Sequence, residues 1–201
     1  MLELCPPGAT GYSWGEMLTS FVSGATATGL YAGRVLANVA AQNPQIADSI
    51  TCALYPRMSR DIPAWTYNDF PCVCIPSAAS NKAEAKLFAA SLFDPAGYIP
   101  QLHAAPGHVL PVLETVAENP AYRDNEIIDR YPQEIDLMAS AAAQGYNLGF
   151  ETTAHQPNTK AGEIIASNAI AEMVQRVVLN DENPQAAVGN TVTRLEEIMR
   201  S

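Results

Sequence analysis

Runs that read as β-strands occur only in the first 75 residues of this chain. After Ile75 every periodic stretch has helical spacing. The strand candidates are residues 25–31, Ile50–Tyr55 and Tyr67–Ile75. A self-standing α/β domain alternates strands and helices along its length. Three strands followed mainly by helices do not. The order therefore predicts a helix-rich α/β chain with only part of a sheet, the remaining strands being absent.

Helix starts and stops are written locally. Ser13-Trp14-Gly15-Glu16 is a Ser-x-x-Glu capping box, and Gly24 suits the left-handed residue just past a helix end. Met17, Leu18 and Phe21 would face inward. Val35, Leu36 and Val39 line one face of the next helix. Ser80-Asn81-Lys82-Ala83-Glu84 opens another, with Ala83, Leu87, Phe88 and Leu92 apolar. Asp94-Pro95 is a stop and restart, and Pro106-Gly107 is a break. A short helix with Val112 and Val116 ends before Pro120. A helix over 132–144, with Ile135, Met138 and Ala142 inward, stops at Gly145. The longest helix is predicted over 161–179. The last opens at Asn183-Pro184, where Val188, Val192, Leu195 and Met199 recur at spacings of four, three and four as one apolar stripe.

The net charge of −10, from 11 basic and 21 acidic residues, argues against nucleic acid as a partner. No apolar run is long enough to span a membrane. Met1-Leu2-Glu3-Leu4-Cys5 lacks the basic-then-apolar order of a signal peptide, so the chain as written is expected in the cytoplasm. Cys72-Val-Cys74 has one intervening residue, where common zinc and redox motifs have two. The pair reads either as small core residues on one strand face or as a reactive or bridged thiol pair.

Tyr31 and Arg34 sit where the first strand candidate gives way to a helix, the kind of edge at which α/β proteins bind ligands. No nucleophile elbow, HExxH, P-loop or paired-carboxylate motif accompanies them. No cofactor is expected, and the chain is not expected to be an enzyme. A Cys/His enzyme built on Cys72 or Cys74 with His103, His108 or His155 is the least favoured reading.

Six segments in order resemble one family. Pro7-Gly8-Ala9-Thr10-Gly11-Tyr12-Ser13-Trp14 followed by Phe21-Val22-Ser23-Gly24-Ala25-Thr26-Ala27-Thr28 is similar to its aromatic…F-x-x-G-x-x-A-M stretch, with Thr28 in place of Met. Asn43-Pro44-Gln45-Ile46-Ala47-Asp48, Ile75-Pro76 through Asn81-Lys82-Ala83-Glu84-Ala85, Phe93-Asp94-Pro95, Pro106-Gly107-His108-Val109-Leu110-Pro111-Val112 and Asn183-Pro184-Gln185-Ala186-Ala187 supply the rest. The chain resembles the C-terminal portion of the extracellular solute-binding proteins of ABC importers, family 1, maltose-binding-protein-like. The resemblance implies a truncated class II periplasmic-binding fold, with most of the N-terminal lobe missing. Residues 1–62 would belong to the C-terminal lobe, 63–115 would cross to the N-terminal lobe, and 116–201 would return. A helix such as 81–93 would then expose part of its apolar face.

By the same resemblance the ligand is a sugar or sugar alcohol, and the partners of the intact protein are ABC permease subunits. That intact protein would be periplasmic. Sugar sites combine aromatic faces with fixed polar groups. Tyr31 and Arg34 fall on the cleft segment, Arg34 where a stacking Trp is usual. A guanidinium there can stack or fork onto vicinal hydroxyls or a carboxylate, which leaves room for a small polyol or an acidic sugar. Tyr67 and Asp69, beside Trp65 and Asn68, fall on a second cleft segment, and His108 near the hinge or cleft rim. Trp14 and Tyr12 are expected to serve packing. The rival expectation is a remnant or interaction protein that binds no solute.

Overall fold

The computed structural model describes residues 4–57, 59–61, 66–67, 72–145 and 156–201. It divides into two compact units, Ser13–Gly145 and Met1–Tyr12 with Tyr146–Ser201. The described residues form eleven α-helices, and their β-structure is limited to isolated bridge positions. The helix-rich expectation holds, and among the described residues the expected strands do not form. Residues 25–31 and Ile50–Tyr55 are non-helical chain without a ladder, as are 72–75. Residues 68–71 of the third candidate lie outside the described set. The reason is partnership: a strand is held by a neighbour's N–H and C=O groups. Ala25–Tyr31 instead folds back over the preceding helix. A Cβ on Gly29 would sit 3.1 Å from Met17 Cε and 3.3 Å from Phe21 Cδ2.

In the unit 13–145, α1 (Trp14–Val22) starts at the predicted capping box. The Glu16 carboxylate accepts from the Ser13 N–H at 2.9 Å and from the Ser13 hydroxyl. Gly24 takes the left-handed conformation, φ 77°. α2 (Arg34–Gln42) packs against α1 through Val39, with Val22 and Ala47 completing a small core. α3 (Lys82–Ser91) follows as predicted but buries none of its side chains; Leu87 is 72% and Phe88 65% exposed. α4 (Pro95–His103) opens at Asp94, whose carboxylate accepts from the Ala96 N–H at 2.9 Å.

α5 (Glu114–Ala117) is the expected short helix. Two further short helices, α6 (Pro120–Arg123) and α7 (Glu126–Arg130), precede α8 (Pro132–Ala142). Sequence periodicity does not reveal α6 and α7, because each is barely one turn long. Their caps do mark them. Asn119 Oδ1 accepts from Ala121 N at 2.9 Å, and Asn125 Oδ1 from Ile127 N at 3.0 Å. The main core joins Leu36 of α2, Tyr98, Ile99 and Leu102 of α4, Val116, Tyr122, Ile128, Tyr131 and Ile135. Each fully buried aliphatic side chain contributes about 1.5–3 kcal/mol. Tyr131 ties the two cores together by donating its hydroxyl to the buried Ala47 carbonyl at 2.8 Å. Arg130 adds an ion pair to Asp48, also at 2.8 Å.

The second unit holds α9 (Ala161–Ala166), α10 (Ala169–Asn180) and α11 (Pro184–Arg200). The single helix predicted over 161–179 is thus two. Asn168 adopts φ 52°, a left-handed conformation that asparagine tolerates better than most residues, and the ladder breaks there. Ser167 Oγ helps restart it by accepting from the Ala169 N–H at 3.2 Å.

α11, at 17 residues, is the longest helix. It starts at Asn183, which accepts from Gln185 N and Ala186 N at 3.0 and 3.1 Å. Its inner face is rotated one residue from the predicted one. Ala187 and Thr191 are buried and Leu195 is half-buried, whereas Val188, Val192 and Met199 are exposed. Small side chains let the α10–α11 pair close, and Arg176 of α10 reaches Thr191 Oγ1 at 3.2 Å. Arg194 secures the pair from outside, through Glu172 at 2.6 Å and the Ser167 carbonyl at 2.7 Å.

Candidate functional site

A half-open pocket of about 270 Å³ lies in the unit 13–145, lined by Trp14, Tyr31, Ala32, Arg34 and His108. Its construction follows from the local folds. The capping box fixes the first turn of α1 and with it Trp14. The chain after α1 runs back along that helix, as the contacts of Gly29 record, and delivers Tyr31 to Trp14. The two rings meet edge to face, centroids 5.2 Å apart and planes at 81°. That arrangement suits the ring quadrupoles and leaves apolar ring surface toward the pocket.

Arg34 begins α2 directly after Gly33, and His108 directly follows Gly107. The two glycines stand against each other. A Cβ on Gly33 would lie 2.2 Å from the Gly107 carbonyl oxygen and 2.7 Å from Met138 Sδ and Cε. Gly107 itself has φ 74°, a conformation that favours glycine, and its Cβ would meet the Gly33 carbonyl oxygen at 3.2 Å. Only two residues without side chains let these backbones approach so closely. Their contact places Arg34 and His108 on the same pocket.

Electrostatically the pocket is cationic. Among the described residues no carboxylate lines it, and Glu16 is turned onto its own helix cap. Hydrogen bonding from the Ser13 hydroxyl, then from the Glu16 and Ser13 backbone N–H groups, holds the Glu16 carboxyl below the usual range. The α2 N-terminus carries no side-chain cap. Among the described residues, neither the Arg34 guanidinium nor the His108 ring has a hydrogen-bond or ion-pair partner.

Of the residues singled out from sequence, Tyr31, Arg34 and His108 share this pocket. Tyr67 is exposed and is not part of its lining. Asp69 lies outside the described residues. Trp14, expected to serve packing, is 68% exposed and forms a wall.

Elsewhere, Cys72 and Cys74 are exposed, which removes the core reading of that pair. Cys52 is half-buried; burial, reinforced by the nearby Glu134 carboxylate, pushes its thiol up. No cluster of three or more metal-ligating side chains occurs among the described residues. No helix among them is long and apolar enough to cross a membrane. No protein-family model matches the chain, and neither a curated protein nor a solved structure is recognisably similar to it.

Proposed function

We propose that this protein binds a small polar solute, a sugar or sugar alcohol, as the receptor component of an ABC importer. One observation carries the reading: Tyr31, Arg34 and His108, singled out through the family resemblance, line a single pocket with Trp14. Aromatic edges and faces cover the C–H surfaces of a sugar ring, and the guanidinium and imidazole reach its oxygens. At about 270 Å³ the pocket lies just below the usual ligand range of roughly 300–1,000 Å³, so it suits one ring rather than an oligosaccharide. The reading rests on the pocket and the resemblance, not on a class II sheet, which the described residues do not form.

A thermal-shift panel of monosaccharides, polyols and sugar acids tests it. A ligand at a hundred times its Kd stabilises the folded chain by about 2.7 kcal/mol. For a chain of this size that raises the melting temperature by roughly 5–11 °C. Trp14→Ala should remove the shift while the protein remains folded. A cooperative, folded sample that shifts with none of the panel refutes the reading. The second reading, an interaction protein that takes no solute, draws on the exposed Leu87 and Phe88 of α3. It predicts concentration-dependent association that Leu87→Ser with Phe88→Ser abolishes.

A further inference from the structure

We infer that the solute of this pocket carries a carboxylate, and so belongs to the sugar acids rather than to the neutral sugars or polyols. The inference rests on the solute-binding reading above and specifies its ligand. The chain has 21 acidic residues to 11 basic ones, so a basic side chain here has carboxylates available as partners. Six of the basic residues use them: Arg123, Arg130, Lys160, Arg176, Arg194 and Arg200 each hold an Asp or Glu.

Arg34 holds none among the described residues, although it sits in the pocket. His108, brought beside it by the Gly33–Gly107 contact, is likewise without a partner. Two nitrogen-bearing side chains on one lining, with no acid beside them among the described residues, form a site whose complement is an anion. Arg34 offers the planar fork that matches a carboxylate with two parallel N–H···O bonds. His108 can donate one further N–H to a carboxylate or ring oxygen. The Trp14–Tyr31 pair opposes any proposal of a bare inorganic anion, because apolar ring surface gains nothing from phosphate. It calls for a C–H face attached to the charged group. A net charge of −10 also repels anions at long range, which makes a local, unneutralised guanidinium a requirement for capturing one.

Matched pairs test this: galacturonate against galactose and glucuronate against glucose, titrated calorimetrically, with acetate and inorganic phosphate as controls. The acid of at least one pair should bind tenfold or more tighter than its neutral partner, the scale of one charge-assisted hydrogen bond. Arg34→Gln should bring that ratio close to one, and Arg34→Lys should restore part of it. Added salt should weaken the acid and spare the neutral sugar. Arg34 is exposed, so its variants are expected to melt with the parent.

Equal affinities within both pairs, or neutral sugars binding better, overturn the inference and leave the solute reading standing. An acid preference that survives Arg34→Gln also overturns it. Phosphate or acetate binding as tightly as the sugar acid overturns it, since the ring would then contribute nothing. If no sugar or sugar acid binds, the solute reading falls and this inference falls with it.

Discussion

Replacing Gly33 by alanine tests the construction of the pocket through the sign of a single number. Gly33 has φ −59° and ψ −16°, ordinary helical values that alanine adopts without strain. On backbone grounds alone the change should stabilise, by about 0.4–1 kcal/mol, because alanine restricts the unfolded chain. Packing opposes this. The added methyl lands 2.2 Å from the Gly107 carbonyl oxygen, and both Met138 Sδ and Cε lie 2.7 Å away. The methionine can swing aside; the carbonyl belongs to a left-handed turn wedged against Ile135 and cannot move without its backbone.

Overpacking of this kind costs about 1–3 kcal/mol. With backbone on one side the cost falls toward the upper end, for a net destabilisation of about 2 kcal/mol. The melting temperature followed by far-UV circular dichroism should then fall by roughly 4–8 °C. Gly189→Ala is the control. It lies inside α11 with nothing within 4 Å of its Cβ, and should stabilise by about 0.8–1 kcal/mol. A Gly33→Ala protein that melts at or above the parent temperature refutes the apposition of the two glycines, and with it the placement of His108 beside Arg34.

Tyr131→Phe strands the buried Ala47 carbonyl that the hydroxyl now serves. It should cost about 1–3 kcal/mol in urea unfolding, and a loss below about 0.5 would mean that the bond is not made. Cys5, Cys72 and Cys74 are exposed and Cys52 is half-buried with its thiol pushed up. A thiol-reactive chromophore at neutral pH should therefore label three sites quickly and the fourth slowly. The slow site should speed up only at alkaline pH or on unfolding, and equal labelling of Cys52 contradicts its packing.

The Glu16 carboxyl is held low in the folded chain, so the stability it contributes is present above the ordinary glutamate pKa of about 4.3 and lost as pH falls through the lower folded value. In a Trp65→Phe background, Trp14 emission should report that fraying with a midpoint below about 4.3. Ser13→Ala should move the midpoint up, and an unmoved midpoint argues against the capping box.

What could be read from the sequence was whatever two or three neighbouring residues decide. Ser13 with Glu16, Asp94-Pro95 and Asn183-Pro184 each mark a boundary that the structure keeps, and Pro106-Gly107 falls in the turn that follows α4. What could not be read depends on distant partners. Residues 25–31 have the composition of a strand, but alternation does not supply a neighbouring strand. The stripe Val188–Val192–Met199 is a sound apolar face, yet close approach to α10 selected the small pair Ala187 and Thr191 instead. One left-handed residue, Asn168, split a helix whose apolar spacing runs through the break. The site was legible as residue types at Tyr31, Arg34 and His108. Their assembly was not, because it depends on two glycines, far apart in sequence, meeting through their backbones.

The Asx-Pro starts of α4, α6 and α11 have a consequence for how the chain is made. In each, the side chain that caps the helix and the proline that presets its first turn are adjacent residues, and the capped N–H groups follow within three positions. Nucleation is the costly step of helix formation, since several torsions are fixed for one hydrogen bond. Here its local determinants leave the ribosome within a few residues of one another. At about 5–20 residues per second, each first turn can be sampled a fraction of a second after its cap is translated, before distant core partners exist. The cap and proline thereby bias each helix start toward its native position, and α4 and α6 meet in a shared core once its partners are present.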